Sequence, residues 1–194
     1  MLHAVGMETL KTERLILRPF TEEDAEQMFR NWTSDPRCAK YMFWEPDITL
    51  EQTRRHLAEI LQRYREDPLF FRWAITLRQD KEVIGSMQLR PVESSADTGG
   101  VGYVIGQNWW GHGYMAEALT AVIRYGFERV EFKTICASHF PENPASGRVM
   151  QKAGMVYRGT SRVEGKRGPV ECVEYSVTKE EYSSSFNNKI NFET

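Results

Sequence analysis

Residues 101–115, Val-Gly-Tyr-Val-Ile-Gly-Gln-Asn-Trp-Trp-Gly-His-Gly-Tyr-Met, join a short apolar run to a glycine-punctuated turn and then to a helical pattern. Beyond the turn Met115, Ala118, Leu119, Val122, Ile123 and Phe127 recur at helical spacing. The N–H groups of residues 111–115 therefore fall where the first turn of a helix has no partner for them. Such donors face an anion readily, and Gly111 and Gly113, lacking Cβ, allow the backbone to approach a pyrophosphate and to take φ values other residues resist. The same pair also reads as a plain turn. No phosphate loop ending in Gly-Lys-Ser or Gly-Lys-Thr is present, and residues 111–115 are too short for the dinucleotide glycine pattern, so the anion is not a nucleoside triphosphate.

A second segment follows the apolar run Thr134-Ile135-Cys136-Ala137: Ser-His-Phe-Pro-Glu-Asn-Pro-Ala-Ser-Gly-Arg-Val-Met-Gln-Lys-Ala-Gly-Met, residues 138–155. Asn143 before Pro144 is a helix N-cap with proline at the first helical position, and Gly154 is a C-terminal stop. Three pieces in order, the opening strand from Thr9 to Pro19, Trp110-Gly111-His112-Gly113-Tyr114-Met115, and Asn143-x-x-Ser146 with Lys152-x-Gly154, resemble the GNAT superfamily of N-acyltransferases. The likeness is to the branch that acetylates N-termini of ribosomal proteins and extends to about Val177.

The remaining elements fit one α+β, or mixed α/β, domain. Residues 14–19 alternate as a first strand closed by Pro19. Thr21 with Asp24 resembles a capping box, with Asp where Glu is usual, before a first helix whose stripe is Ala25, Met28, Phe29 and Trp32. Thr49 with Gln52 opens a second helix carrying Leu50, Leu57, Ile60, Leu61 and Tyr64 toward Asp67-Pro68. Phe71, Trp73, Ile75 and Leu77 then alternate, and Gln79-Asp80-Lys81 turns them into a hairpin with residues 83–89. The fourth strand is 101–105 and the fifth 134–138, and a last pair, 155–164 and 170–178, is joined by Gly165-Lys166-Arg167-Gly168-Pro169. About seven strands and about four helices result, in a mostly antiparallel twisted sheet of the GNAT kind. The domain is set at 7–182, with 1–6 read as an extension without a structural role and 183–194 as a polar tail that frays.

Composition narrows the partners. At 194 residues, with 41% hydrophobic and 27% charged residues, the chain suits a single domain with a sizeable core. A net charge of −2 offers no global basic field to nucleic acid or anionic membrane. Cys38, Cys136 and Cys172 lack disulfide or zinc spacing, and neither His112 nor His139 has a metal-like partner at i+3 or i+4, so no metal is expected. No apolar run reaches the roughly 18 residues of a membrane span, and residues 1–7 lack the features of a signal peptide, which points to the cytoplasm, with monomer and homodimer both left open.

The resemblance implies acetyl-CoA as acyl donor and a primary amine as acceptor. It implies that the fourth and fifth strands splay, that the backbone of Val104 and Ile105 lies against the pantetheine arm, and that Gly111, His112, Gly113, Tyr114 and Met115 surround the pyrophosphate, with Asn143 on the pantetheine. A backbone N–H near Ile105 or Gly106 would polarise the thioester carbonyl. Ser146 matches the serine proposed as general acid toward the leaving thiolate. Relatives carry an acidic residue just before the Gly-Tyr of the fourth strand, but Gly99-Gly100-Val101 stands here, so the base is sought at Glu164 near the end of the sixth strand, or at Glu93. Both also read as solvated surface carboxylates. His139 would line the gap after the fifth strand. Tyr41, Phe43 and Trp44 read either as core or as the border of the acceptor site, with Glu45 and Asp47 suited to a cationic acceptor. Acceptors open at this point are a protein N-terminal α-amine, a polyamine, an amino-sugar or an antibiotic, beside a non-catalytic acyl-CoA-binding module.

Overall fold

A computed structural model describes residues 2–3, 6–165 and 168–190. It holds an eight-stranded sheet in the order β1-β2-β3-β4-β5-β6-β8-β7. The strands are β1 (Leu10–Lys11), β2 (Leu15–Pro19), β3 (Phe71–Leu77), β4 (Val83–Val92), β5 (Ser95–Ile105), β6 (Thr134–His139), β7 (Val156–Gly165) and β8 (Gly168–Thr178). Neighbours are antiparallel except β5 and β6, which run parallel. The helices are α1 (Ala25–Met28), α2 (Pro36–Ala39), α3 (Leu50–Glu66), α4 (Tyr114–Tyr125), α5 (Pro144–Lys152) and α6 (Lys179–Ile190).

The mixed α/β reading holds, with one strand and two helices more than expected. Strand β1, too short to show a period, pairs with β2 through Leu10↔Leu17. The first expected helix is three pieces: a 3₁₀ turn (Glu22–Asp24), α1, and a π stretch (Phe29–Thr33). The wide π turn leaves the Phe29 carbonyl to accept from Ser34 N–H and Oγ at 3.4 and 2.6 Å. Both capping boxes form. Thr21 N–H donates to Asp24 at 2.9 Å, and Asp stands there because its carboxylate also takes a bidentate pair from Arg18 at 2.7 and 2.8 Å. Thr49 N–H donates to Gln52 Oε1 at 2.9 Å.

Strand alternation divides the apolar residues between two cores. On one face Leu15, Leu17, Phe71, Trp73 and Ile75 pack under α4 and α5 with Leu119, Val122 and Phe127. On the other Phe20, Phe70, Ala74, Val83 and Val104 pack under α1 and α3 with Met28, Trp32, Leu57 and Ile60. Two terminal expectations change. In segment 1–6, Leu2 packs against the first core, His3 N–H donates to the Val130 carbonyl at 3.1 Å, and Tyr125 donates its hydroxyl to the Gly6 carbonyl at 2.6 Å. Helix α6 runs through the beginning of the segment read as a fraying tail; residues 191–194, and Lys166 and Arg167 of the last hairpin, lie outside the described residues. Among the described residues no helix is long and apolar enough to cross a membrane.

Candidate active site

Strands β5 and β6 begin as a pair and then part. Their register is Thr98↔Thr134, Gly99↔Ile135 and Gly100↔Cys136, where it ends, although β5 continues to Ile105 and β6 to His139. On its other edge β5 stays paired with β4 as far as Gly85↔Ile105. Residues 101–105 thus have one edge occupied and one open. The Gly106 N–H donates to the Ile84 carbonyl at 2.9 Å, and this fixes the phase of the ladder. Val104, opposite Ser86, turns its N–H and C=O toward β4, whereas Tyr103 and Ile105 turn theirs toward the opening. The Ile105 carbonyl, so directed, accepts from Trp110 Nε1 at 2.9 Å and from Cys38 Sγ at 3.6 Å.

Two expectations need correction on this ground. Val104 cannot offer its backbone to an arm lying in the slot, because β4 uses those groups and its side chain is in the second core. The Gly106 N–H is likewise taken. The Ile105 N–H faces the slot. Tyr103 was not singled out from sequence, since only the pairing partner of β5 tells which parity faces the gap.

The glycine turn lies just beyond. After a 3₁₀ turn (Gln107–Trp109), Gly111 has φ +80° and Gly113 φ +81°. A Cβ at Gly111 would meet nothing within 4 Å, so glycine is required there by conformation rather than by space. Among the described residues, the N–H groups of residues 111–115 have no acceptor. Arg14, before β2, braces the turn from outside: it donates to the His112 carbonyl at 3.0 Å, to Glu117 at 2.7 Å, and lies 4.6 Å from the Tyr114 ring centroid. Glu117 also accepts from Thr12 Oγ1 at 2.6 Å and from Arg14 N–H at 2.9 Å. Burial pushes the Glu117 carboxyl up, but these bonds outweigh it and its pKa lies below the ordinary value. The His112 ring is exposed and stacks on Tyr114 at 5.6 Å.

Helix α5 supplies the facing wall. Asn143 Oδ1 accepts from the Ser146 N–H at 3.4 Å, the cap expected from Asn-Pro. Ser146 Oγ lies 2.9 Å from the Tyr103 hydroxyl, a contact in which either oxygen can donate, and the Tyr103 hydroxyl also reaches the Ser146 carbonyl at 3.1 Å. Burial raises the Tyr103 pKa far above its ordinary value and keeps the phenol neutral. His139, at the end of β6, donates from Nδ1 to the Phe140 carbonyl at 2.8 Å. Its ring lies where a Cβ on Gly147 would be 2.6 Å from Nε2, so glycine lets α5 settle on the imidazole.

The expected bases fare differently. Glu93 sits between β4 and β5, with six residues of β5 before the open edge begins at Val101 and ten before Ile105, about 20 and 33 Å at strand rise, which removes it from the site. Glu164, opposite Pro169 near the tip of the β7–β8 hairpin, shares its face with Thr160 and Val173 on the α4–α5 side. Of the aromatic segment, Trp44 packs against the second core, while Phe43 is 55% exposed and contacts Phe140 at 5.5 Å. Asp47 accepts from Thr53 Oγ1 at 2.6 Å and is structural.

The sequence profile described as an acetyltransferase (GNAT) domain matches residues 14–156. N-acetyltransferase p20 of Bacillus licheniformis is 31% identical over 182 residues, 91% of this chain and 99% of that one. The ribosomal protein uS5-alanine N-acetyltransferase of Escherichia coli is 28% identical over 159 residues, 79% of this chain and 80% of its own. A GNAT-family acetyltransferase structure from Bacillus anthracis superposes with a TM-score of 0.78 at 25% identity, covering 89% of this chain and 99% of that chain. The parted β5–β6 pair, the open glycine turn and these likenesses together establish that the chain belongs to the GNAT acetyltransferase family and is an N-acetyltransferase.

Proposed function

We propose that this chain moves the acetyl group of acetyl-CoA to a primary amine by direct attack, with a protein N-terminal α-amine as the first acceptor class to test. The open edge of residues 101–105 is the observation that carries the reading. An unpaired backbone edge is costly when buried, and an extended amide-bearing arm completes it as an added strand would. The Tyr103 backbone groups and the Ile105 N–H are the partners such an arm would find. Gly111, His112, Gly113, Tyr114 and Met115 present their N–H groups to the diphosphate, the left-handed glycines bringing them within reach.

The Ile105 N–H is the donor for the thioester carbonyl oxygen as negative charge builds there. Ser146 gives its proton to the departing thiolate and is resupplied through solvent, with Tyr103 holding the hydroxyl in place. A C–N bond forms and the C–S bond breaks; of the two protons an ammonium acceptor loses, one ends on the thiol and one in water. An α-amine, with a pKa near 8, needs little help in reaching its free-base form. The uS5-alanine relative, at 28% identity, makes the N-terminal class the natural starting point.

The test combines calorimetry with acetyl-CoA and a thiol-release assay across amines and N-terminal peptides. Binding is expected with wild type and strongly weakened in Gly113→Val, whose left-handed φ a β-branched residue resists. Binding without thiol release from any amine would show a ligand-binding module instead, and unaltered affinity in Gly113→Val would remove the diphosphate site.

A further inference from the structure

Across the sheet face opposite α4 and α5, one row of residues joins the two banks of the slot. Arg72 on β3 is opposite Gln88 on β4, which is opposite Gly102 on β5. Ser138 on β6 is opposite Glu174 on β8. Gly102 and Ser138 are each two residues past the last β5–β6 pair, Gly100↔Cys136, so they face each other where the strands have separated. The row shares its face with Ala74 and Val104, the side away from Tyr103 and Ser146.

Among the described residues, the banks carry opposite charge with no ion-pair partner for either. Arg72 Nε donates to Ser86 Oγ at 3.2 Å and its Nη2 faces His56 Nε2 at 3.3 Å, but among the described residues no carboxylate pairs with it. Burial pulls its pKa down to about 10, and burial and then the Arg72 charge lower that of His56, which leaves the imidazole an acceptor at neutral pH. The Gln88 amide, half-buried beside it, has no hydrogen-bond partner among the described residues. On the far bank Glu174, also half-buried, accepts from Ser161 Oγ, and no described cation pairs with it. A guanidinium withdrawn from water without a counter-ion is destabilising, and an incoming carboxylate relieves that. Two ladder steps, about 10 Å, separate the Arg72 backbone from Gly102. The side chain spans the first of these by leaning to Ser86.

We propose that this row is the acceptor subsite and that it selects an amine carrying a carboxylate, the carboxylate docking on Arg72 and Gln88 and the ammonium facing Glu174 across the slot. The inference rests on the acetyl-transfer reading and narrows its acceptor. The first proton leaves the ammonium for the Glu174 carboxylate and passes to water; the second leaves as the C–N bond forms. The carboxylate belongs either to a free amino acid or to an acidic residue following a peptide N-terminus.

The test is the ratio of kcat/KM for acid over amide, read by CoA thiol release. One substrate pair is γ-aminobutyrate and its amide, the other alanyl-aspartate amide and alanyl-asparagine amide. A hydrogen-bonded charge contact predicts a preference of roughly 10- to 100-fold for the acid in at least one pair. The pair that shows it identifies the source of the carboxylate. Arg72→Gln should bring that ratio to about one and Arg72→Lys should retain part of it, with acetyl-CoA affinity by calorimetry verifying the fold of both variants. Equal use of acid and amide by wild type, or a ratio that survives in Arg72→Gln, overturns the subsite. If these four compounds are inert while other amines release thiol, the subsite falls and acetyl transfer stands; if no amine releases thiol, both fall.

Discussion

The Tyr103–Ser146 pair places a neutral phenol and a helix-borne hydroxyl at one wall of the slot, and each depends on the other for direction. Ser146→Ala should lower kcat by roughly 10²-fold or more with acetyl-CoA affinity unchanged in calorimetry. An unchanged kcat would leave the serine only a hydrogen-bond partner of Tyr103. Glu117 gives a pH dependence of definite sign. Its folded pKa is depressed, so it stabilises the fold above the ordinary carboxyl value of 4.5 and that contribution is lost as pH falls below it. In thermal melts from pH 6 to pH 3, wild type should therefore converge on Glu117→Gln at the acid end. At this scale the sequence displayed Ser146 and Asn143 because a cap and its helix are local in the chain. It gave no sign of Tyr103, nor of Arg72 and Glu174 in the subsite proposed above, because their surroundings come from strands far away in sequence, and it offered Glu93 because a loop beside a strand in sequence can be the whole strand length away from its working end.

Among elements, the seam between β4 and β5 sets the position of the open edge. A Cβ on Gly85 would collide with the Val104 carbonyl oxygen and come within 3.0 Å of Ile105 Cα. Gly85→Ala should destabilise the fold by about 1–3 kcal/mol in denaturant titration, as overpacking does, and weaken acetyl-CoA binding along with it. The same substitution at Gly168 near the hairpin tip, where a Cβ would meet nothing within 4 Å, would leave ligand affinity unaffected. Long amphipathic elements such as α3, α4 and β3 were legible from period and caps. Strand β1 and helix α2 were not, having two and four residues and therefore no period to read. The π stretch escaped because its cause is tertiary: Asn31 donates to Glu82 and to the Val83 carbonyl at 2.7 and 2.8 Å. Helix α6 was hidden by a polar composition that resembles a tail.

For the whole molecule, two cores on opposite faces leave the slot as a passage through the sheet at one end only. A ligand held there stabilises the folded state by mass action, about 2.7 kcal/mol at a concentration 100 times its Kd. Acetyl-CoA should raise the melting temperature in a concentration-dependent way, and a shift that persists in Gly113→Val would place the ligand elsewhere. The fold class was readable because strands, turns and helices succeed one another in an order that few layered arrangements accommodate.

The brace made by Arg14 has a kinetic meaning. By gripping the His112 carbonyl and Glu117 together, it ties the glycine loop to the first turn of α4. The diphosphate proposed to bind there would meet a loop already braced, so its capture should not wait on a rearrangement of that loop.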